Sequence, residues 1–253
     1  MKFKIFNILL TLLLILLAHY SQSQDITGGT VTYQATTRYD FQTLFAPWAD
    51  DHREWVDSIP TESRGNVTLT FTEQNALYDS RADEQILPRQ LRDAQAKAVD
   101  MLEPAAELQK VFLDLDKNGI IRQLDFMGRL FLVSDEIETK SWKLTNKMTK
   151  ILDYICMGAE LEQDGKSIFA YFTSEIPLPI GPDEYFGLPG LILAVEEDGA
   201  TVFLATSIEL SPPGPNAVAK PKEGKELTQK EFDIIVTEKI KEYRETIYDN
   251  KYK

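Results

Sequence analysis

The order of apolar and polar residues along the chain predicts a mainly β protein. Residues 30–39 have strand composition, and residues 67–71 alternate apolar and polar side chains, which is typical of a strand with one buried face. Further strand patterns are separated by Gly or Asp-Gly turns such as Asp164-Gly165. They cover 111–115, 120–127, 130–133, 142–144, 150–161, 167–173, 191–196 and 200–209.

Two segments have the apolar spacing of helices instead. In residues 87–102 apolar side chains recur every three or four positions, and Pro104 follows. A second helix begins at Thr228, which forms a capping box with Glu231 and precedes an apolar stripe of Phe232, Ile235, Val236 and Ile240. Residues 211–226 are rich in Pro and Lys and predict a linker.

These patterns predict a mainly β (α+β) fold. We expect a curved antiparallel sheet over residues 24–210, with one helix inserted near 87–102. The linker at 211–226 then leads to a C-terminal helix and tail at 227–253.

The first 23 residues predict a cleavable secretory signal. Lys2 and Lys4 precede an apolar run of about 14 residues, and small residues follow at 21–23. The run is shorter than the roughly 20 residues that a membrane-spanning helix needs. We therefore expect export, cleavage near Gln24, a periplasmic or outer-membrane-associated protein, and no transmembrane segment after cleavage.

Charge and cysteine content narrow the class of protein. The formal net charge is -13, and loss of Lys2 and Lys4 with the signal makes the remaining chain more acidic still. Such a chain is repelled by nucleic acid, so we expect no nucleic-acid partner. Cys156 is the only cysteine, which excludes a disulfide within the chain. Its apolar neighbours predict a buried strand residue.

The sequence contains no pattern of catalytic residues. Once the signal is removed, His52 is the only histidine. It is therefore the only candidate for an imidazole base that activates a nucleophile. No metal-ligand spacing and no Gly-rich phosphate loop is present. We expect no cofactor and no enzymatic activity, although the 40 acidic residues leave a carboxylate pair for hydrolysis open as an alternative.

Residues 114–125 resemble a calcium-binding loop. Asp114, Asp116 and Asn118 supply oxygens at positions 1, 3 and 5, Gly119 stands at position 6, and Asp125 stands at position 12. The alternative is a β-hairpin, because Asp-Lys-Asn-Gly is turn sequence flanked by strand formers. An EF-hand also needs a helix after position 12, where strand formers follow instead, so we favour the hairpin and expect no metal site.

Residues 173–193 contain four prolines and three glycines directly before an apolar strand. The prolines restrict the backbone, and the glycines permit turns that other residues resist. This segment is either a structural plug packed on the sheet or a pre-organised binding surface. The candidate binding residues are Glu175, Pro177, Gly181, Pro182, Tyr185, Phe186, Gly187, Leu188, Pro189 and Gly190.

Residues 187–192, Gly-Leu-Pro-Gly-Leu-Ile, are the hexapeptide that gives the GLPGLI family its name. The resemblance covers about 110–250 and includes Trp142-Lys143-Leu144, Tyr154-x-Cys156, Tyr171-Phe172-Thr173 and Glu175-Ile176-Pro177. Two positions depart from the family's pattern. The family usually has Gly at the position of Asp153 and often has Trp at the position of Tyr171. Membership implies an exported Bacteroidota envelope protein without an established activity. Such proteins are often encoded beside TonB-dependent receptors.

Three functions follow as expectations. The first is a non-catalytic accessory protein that binds an outer-membrane receptor, its cargo or another envelope protein. The second is a periplasmic carrier of an apolar ligand, by analogy with lipoprotein carriers. The third is a carboxylate-based hydrolase. A large open apolar concave face would favour the carrier, and a polar cleft with two close carboxylates of raised pKa would favour the hydrolase. A flat exposed patch at 173–190 would favour the partner-binding protein.

Overall fold

A computed structural model describes residues 26–45, 49–83 and 104–251, together with Asp93, Gln95 and Ala98. Within these residues, twelve strands form one sheet that does not close into a barrel. The predicted signal at 1–23 lies outside the described residues, and so does most of the predicted helix at 87–102. The three positions described in that helix are helical.

The strands are β1 (Gly28–Arg38), β2 (Glu62–Thr72), β3 (Asn75–Asp83), β4 (Glu107–Asp114), β5 (Gly119–Phe126), β6 (Arg129–Glu136), β7 (Lys143–Ile151), β8 (Tyr154–Gln163), β9 (Lys166–Thr173), β10 (Leu191–Glu197), β11 (Thr201–Glu209) and β12 (Lys225–Thr228). The helices are α1 (Phe41–Leu44), α2 (Ala49–Ser58) and α3 (Gln229–Lys251). The mainly β class predicted from the sequence is confirmed.

The sheet consists of two meanders joined at one seam. Its strand order is β12-β6-β5-β4-β3-β2-β1-β11-β10-β9-β8-β7. Strands β1 to β6 follow one another in space, as do β7 to β11, and β1 pairs with β11 between the two sets. All these pairs are antiparallel, as predicted. The exception is β12, which lies parallel to β6 and includes the last two residues of the predicted linker.

The sheet is curved, and its main core lies on the concave face. Tyr78 of β3 and Phe203 of β11 are three strand positions apart, about 14 Å in a flat sheet. Their ring centroids are nevertheless only 6.4 Å apart. Side chains from β1 to β5 and β8 to β11 therefore share one hydrophobic cluster. Cys156 is fully buried in it, as predicted, and burial raises the pKa of its thiol to about 11.

Helix α3 covers the other end of the sheet. The predicted capping box is present: Glu231 accepts the Thr228 N–H at 2.8 Å, and Thr228 Oγ1 accepts the Glu231 N–H at 3.3 Å. Phe232 packs against Phe131 with ring centroids 5.3 Å apart, and the predicted stripe joins this smaller cluster. No helix in the described part of the chain is both long and apolar enough to cross a membrane.

The predicted strand at 150–161 is wrong in one respect. The chain reverses at Leu152-Asp153, so this range belongs to two strands, β7 and β8, that form a hairpin. Leu152 takes a φ of 52°, which a bulky residue rarely adopts, and no Gly marks the turn. The turn therefore lacks the Gly that marks the β8–β9 and β10–β11 hairpins.

Candidate functional site

The proline-rich residues 174–190, called the plug segment below, lie between β9 and β10 and fill the concave face. Ile176 and Ile180 are fully buried and Leu188 is 1% exposed. Glu184 forms an ion pair with Arg122 of β5, although six strands separate β5 from β9 in the sheet. The plug segment therefore contacts both meanders.

Hydrogen bonds fix the backbone of the plug segment. Leu191 N–H donates to the Ile176 carbonyl and Ile192 N–H donates to the Ile180 carbonyl, each at 2.9 Å. Tyr33 of β1 donates its hydroxyl to the Ile192 carbonyl at 2.7 Å. Buried polar groups need such partners, so these bonds anchor both ends of the segment to the sheet.

Two glycines are required by close backbone contacts. A Cβ on Gly190 would lie 2.0 Å from the Thr173 carbonyl oxygen, and one on Gly181 would lie 2.5 Å from the Tyr185 carbonyl oxygen. Both distances are far below van der Waals contact. These glycines therefore permit close packing of the segment on itself and on β9.

The structure divides the ten candidate binding residues into two groups. Those with buried positions are Gly181, Pro182, Tyr185, Phe186, Leu188 and Gly190. Those with exposed positions are Glu175, Pro177, Gly187 and Pro189. Of the exposed group, Glu175 accepts a hydrogen bond from the Ile155 N–H of β8 at 3.2 Å. The burial favours the plug interpretation over the binding surface.

The two aromatic residues of the plug segment are part of the core. Tyr185 is 8% exposed and Phe186 is 4% exposed. The Tyr185 hydroxyl donates to Glu197, and its ring lies 6.3 Å from that of Phe203. Trp142 donates its indole N–H to the Phe186 carbonyl at 2.9 Å. Neither ring is free to contact a partner in this conformation.

A polar cleft of about 330 Å³ opens beside Tyr185. Its charged lining includes Asp183, Glu184, Glu197, Lys140 and Lys166. Most of these groups already have partners within the protein: Lys166 lies 2.6 Å from Glu197, and Lys140 donates to Gln163 at 2.9 Å. No sequence pattern predicts that these residues line one cleft.

Asp183 is the carboxyl with the most perturbed ionisation in the cleft. Burial raises its pKa to about 7, and the nearby Glu184 and Glu197 add to the shift, while Lys140 opposes it. Burial also lowers the pKa of Lys140. Although burial opposes it, the pKa of Glu197 is lowered by hydrogen bonds from Lys166 and Tyr185. Asp183 is thus the group whose charge changes near neutral pH.

Asp183→Asn is expected to stabilise the protein at pH 8 and to have little effect at pH 4. The folded pKa of about 7 lies above the ordinary value of 3.8, so the folded protein loses stability as pH rises between these two values. Asp183 is half-buried at the cleft, and Asn removes its desolvated charge. Asn also keeps an acceptor for the Glu184 N–H, which Asp183 Oδ1 accepts at 2.7 Å. Melting temperatures measured across this range test the prediction.

Asp164→Asn is the matched control. Asp164 lines the same cleft and has the same φ of 54° as Asp183, but it is exposed. A gain that depends only on backbone conformation would appear in both variants and at every pH. An equal gain in the two would therefore contradict the role of the buried charge.

Residues 114–125 form the predicted hairpin. β4 and β5 are antiparallel, with Asp114 opposite Gly119, and Asn118 takes a φ of 52° in the turn. The candidate calcium ligands are separated, because Asp125 lies six positions along β5 from Gly119, about 20 Å away. Asp114 accepts the Lys117 N–H at 3.1 Å, and Asp125 accepts the Gly128 N–H at 2.9 Å. Each carboxylate supports its own turn.

Calcium at about 1 mM is expected to leave the melting temperature unchanged, because a ligand stabilises a fold only by binding it. To coordinate one calcium ion together, the candidate ligands of the EF-hand alternative would have to break the pairing of β4 with β5. A calcium-dependent rise in melting temperature that Asp114→Ala abolishes would contradict the hairpin. Thermal unfolding with and without calcium is the measurement.

The β7–β8 hairpin carries a group of exposed apolar residues that the sequence analysis missed. Leu144 is 62% exposed, Met148 66%, Leu152 41% and Ile155 59%. Leu144, Leu152 and Ile155 fall within predicted strands and Met148 falls between two of them. Strand composition does not reveal which face a sheet leaves open. The same hairpin contains three lysines on β7 and no acidic residue on that strand.

A family model described as a protein of unknown function (Porph_ging) matches residues 160–194. The matched range runs from the end of β8 through β9 and the whole plug segment into β10. It includes the hexapeptide at 187–192. No curated protein matches this sequence.

Two crystal structures of PNGF-II, in space groups P21 and C2, are similar in fold. Each has a TM-score of 0.52 over 83% of this chain, with sequence identities of 13% and 14%. The chain spans about a third of the length of those structures, 33% and 32%. The protein therefore contains a segment matching the Porph_ging family of unknown function, on a sheet that resembles part of PNGF-II.

Proposed function

We propose that the protein is a non-catalytic binding protein of the bacterial envelope, and that its β7–β8 hairpin contacts a protein partner. The observation that carries the proposal is the concentration of exposed apolar side chains there. Four of the nine large apolar residues that are exposed in the described chain belong to this hairpin. Single exposed apolar residues are ordinary, whereas a group on one element indicates an interaction surface.

The filled concave face argues against a carrier of apolar ligands. A carrier needs apolar space, and apolar pockets are the usual sites for such ligands. Here Ile176, Ile180 and Leu188 occupy the face that such a ligand would use. The plug segment itself fills the space that a bound apolar ligand would need.

A carboxylate-based hydrolase is the second candidate, and Asp183 is the observation that favours it. A carboxyl with a pKa of about 7 in a cleft is suited to general acid catalysis. Its neighbours have structural roles, however: Glu184 pairs with Arg122, and Glu197 binds Lys166 and Tyr185. The remaining carboxylate of the described lining, Asp164, is exposed and accepts a hydrogen bond from Gln163. A second desolvated carboxylate to work with Asp183 is therefore missing from this lining, so we rank binding first.

An envelope location is consistent with the signal predicted at 1–23 and with the GLPGLI hexapeptide inside the Porph_ging match. We propose an exported protein, periplasmic or associated with the outer membrane. Its partner would be a TonB-dependent receptor, the cargo of such a receptor or another envelope protein. The proposal includes membership of the GLPGLI family.

The test is cross-linking capture from envelope extracts, comparing the wild type with Leu144→Ser/Met148→Ser. We expect one stoichiometric partner that the double variant loses. Leu204→Ser is the control, because Leu204 is 45% exposed but belongs to β11. Equal capture by all three proteins would contradict the hairpin as contact surface. Recovery of a bound apolar small molecule without a protein partner would favour the carrier.

A further inference from the structure

We propose that the outer edge of β7 binds an acidic, extended segment of a partner protein, which adds a strand to the sheet. This inference rests on the proposed function, which takes the β7–β8 hairpin as the contact surface. Among the residues that the structure describes, β7 is the last strand on its side of the sheet and pairs only with β8. An edge strand offers unpaired backbone groups to another chain.

The register identifies the free backbone groups. Ile151 and Tyr154 close a two-residue loop, and such a closing pair exchanges backbone hydrogen bonds. Bonding residues alternate along an antiparallel pair, so Met148 and Lys150 direct their N–H and C=O groups away from β8. The hydrogen bond from Ile155 N–H to Glu175 agrees with this alternation, because it points away from β7.

The opposite edge of the sheet is less suited to adding a strand. Strand β12 has four residues, whereas β7 has nine. Helix α3 follows β12 directly and packs over the same end of the sheet. Among the described strands, β7 is therefore the longer free edge. Its pairing is irregular between Leu144 and Met148 and regular from Met148 to Ile151, which is the part that offers a ladder.

One face of the β7–β8 hairpin beside this edge carries a group of exposed apolar side chains. Leu144 lies opposite Ala159 and Met148 opposite Met157, so both point to the same face of the sheet. Ile155, two residues before Met157, shares that face. An incoming strand would extend this stripe and cover the exposed side chains. Cross-strand apolar contacts of this kind stabilise added strands.

The charge of β7 indicates that the added segment is acidic. Its charged residues are Lys143, Lys147 and Lys150, in a chain with a formal net charge of -13. Two of these lysines have ion pairs, Lys147 with Glu160 at 3.7 Å and Lys150 with Asp153 at 3.4 Å, but all four side chains are more than half exposed. Such pairs are weak, so the positive potential remains available to an acidic segment.

Two other roles of this edge agree less well with its residues. A second copy of β7, paired antiparallel about its centre at Lys147, would set this lysine opposite itself, which is destabilising. Lysines also protect edge strands from pairing. Protection alone does not explain why Leu144, Met148 and Ile155 are exposed together on the adjoining face.

The test uses the full mature chain and a synthetic peptide of about eight residues that alternates glutamate with valine. NMR-detected amide hydrogen exchange should show that the peptide protects Met148 and Lys150. A matched peptide with lysine in place of glutamate should give no protection. Lys147→Glu/Lys150→Glu should weaken binding of the acidic peptide about tenfold or more.

Proline variants separate strand addition from side-chain contact. Met148→Pro removes an outward N–H and is tolerated at an edge, whereas Met148→Ala removes only the side chain. We expect Met148→Pro to bind the acidic peptide about tenfold more weakly than Met148→Ala. Thr149→Pro should destabilise the fold, because its N–H faces β8. Lys150→Pro, which removes the other outward N–H, repeats the test if Met148→Pro fails to fold.

The proposal is overturned if both peptides bind alike, or if Met148→Pro binds as Met148→Ala does. A dimer that Met148→Pro dissociates would assign the edge to a second copy and would also overturn it. A captured envelope partner that is lost in Leu144→Ser/Met148→Ser but retained in Met148→Pro would sustain the proposed function and reject strand addition. The two proposals therefore fail on different results.

Discussion

Gly190→Ala is expected to destabilise the protein by more than about 3 kcal/mol. The added Cβ would lie 2.0 Å from the Thr173 carbonyl oxygen and 2.7 Å from the carbon of the same carbonyl. Backbone atoms cannot move aside as a flexible side chain can. The neighbouring Leu191 N–H is also held by the Ile176 carbonyl. Chemical denaturation monitored by circular dichroism measures the loss.

Gly214→Ala is the control for this variant. Nothing lies within 4 Å of the Cβ that it would add, and Gly214 lies outside the sheet. Its stability should change by less than about 1 kcal/mol, with a slight gain from the restricted unfolded chain. If Gly190→Ala were as stable as Gly214→Ala, the close packing of the plug segment on β9 would be wrong.

Phe186→Ala is expected to cost about 3–5 kcal/mol of stability. The ring is 4% exposed, and Lys140 lies over it with its ammonium 5.1 Å from the ring centroid. Truncation would leave a cavity at the concave face. The surrounding strands cannot close it, because their hydrogen-bond ladders hold them in place. The free energy of unfolding from a urea titration is the measurement.

Leu144→Ala serves as the comparison for Phe186→Ala, because Leu144 is 62% exposed. Its truncation should change stability by no more than about 0.5 kcal/mol. If Phe186→Ala were stable but lost partner capture, the plug segment would be a binding surface and not part of the core. The pair of variants therefore separates core from contact residues.

The sequence predicted the elements whose periodicity is strong and local. Strands β9, β10 and β11 follow regular apolar patterns, and α3 has a capping box and a stripe, so each was located to within a few residues. Strand β3 has no counterpart in the predictions, because only 76–78 of its nine residues form an apolar run. Helix α2 was also missed, since six of its ten residues are charged or histidine.

The candidate site depended on contacts that no local pattern encodes. Arg122 and Glu184 are 62 residues apart in sequence, and Tyr33 reaches a carbonyl 159 residues away. Whether Tyr185 and Phe186 face a core or solvent follows from such contacts, which is why the sequence left both interpretations open. The exposed hairpin was missed for the same reason, because the sheet order makes β7 an edge.

The seam between β1 and β11 has a consequence for folding. Every other antiparallel pair in the described sheet joins strands that follow one another in the chain, so each meander can form from contacts much closer in sequence than the seam. The seam instead pairs Thr30 with Glu209, and closing so long a loop is entropically slow. Docking of two preformed halves is therefore the expected slow step. A backbone cut between β6 and β7 would leave two fragments, each with its meander whole. They could reassemble along the eight paired positions of the seam and the four positions at which β12 pairs with β6.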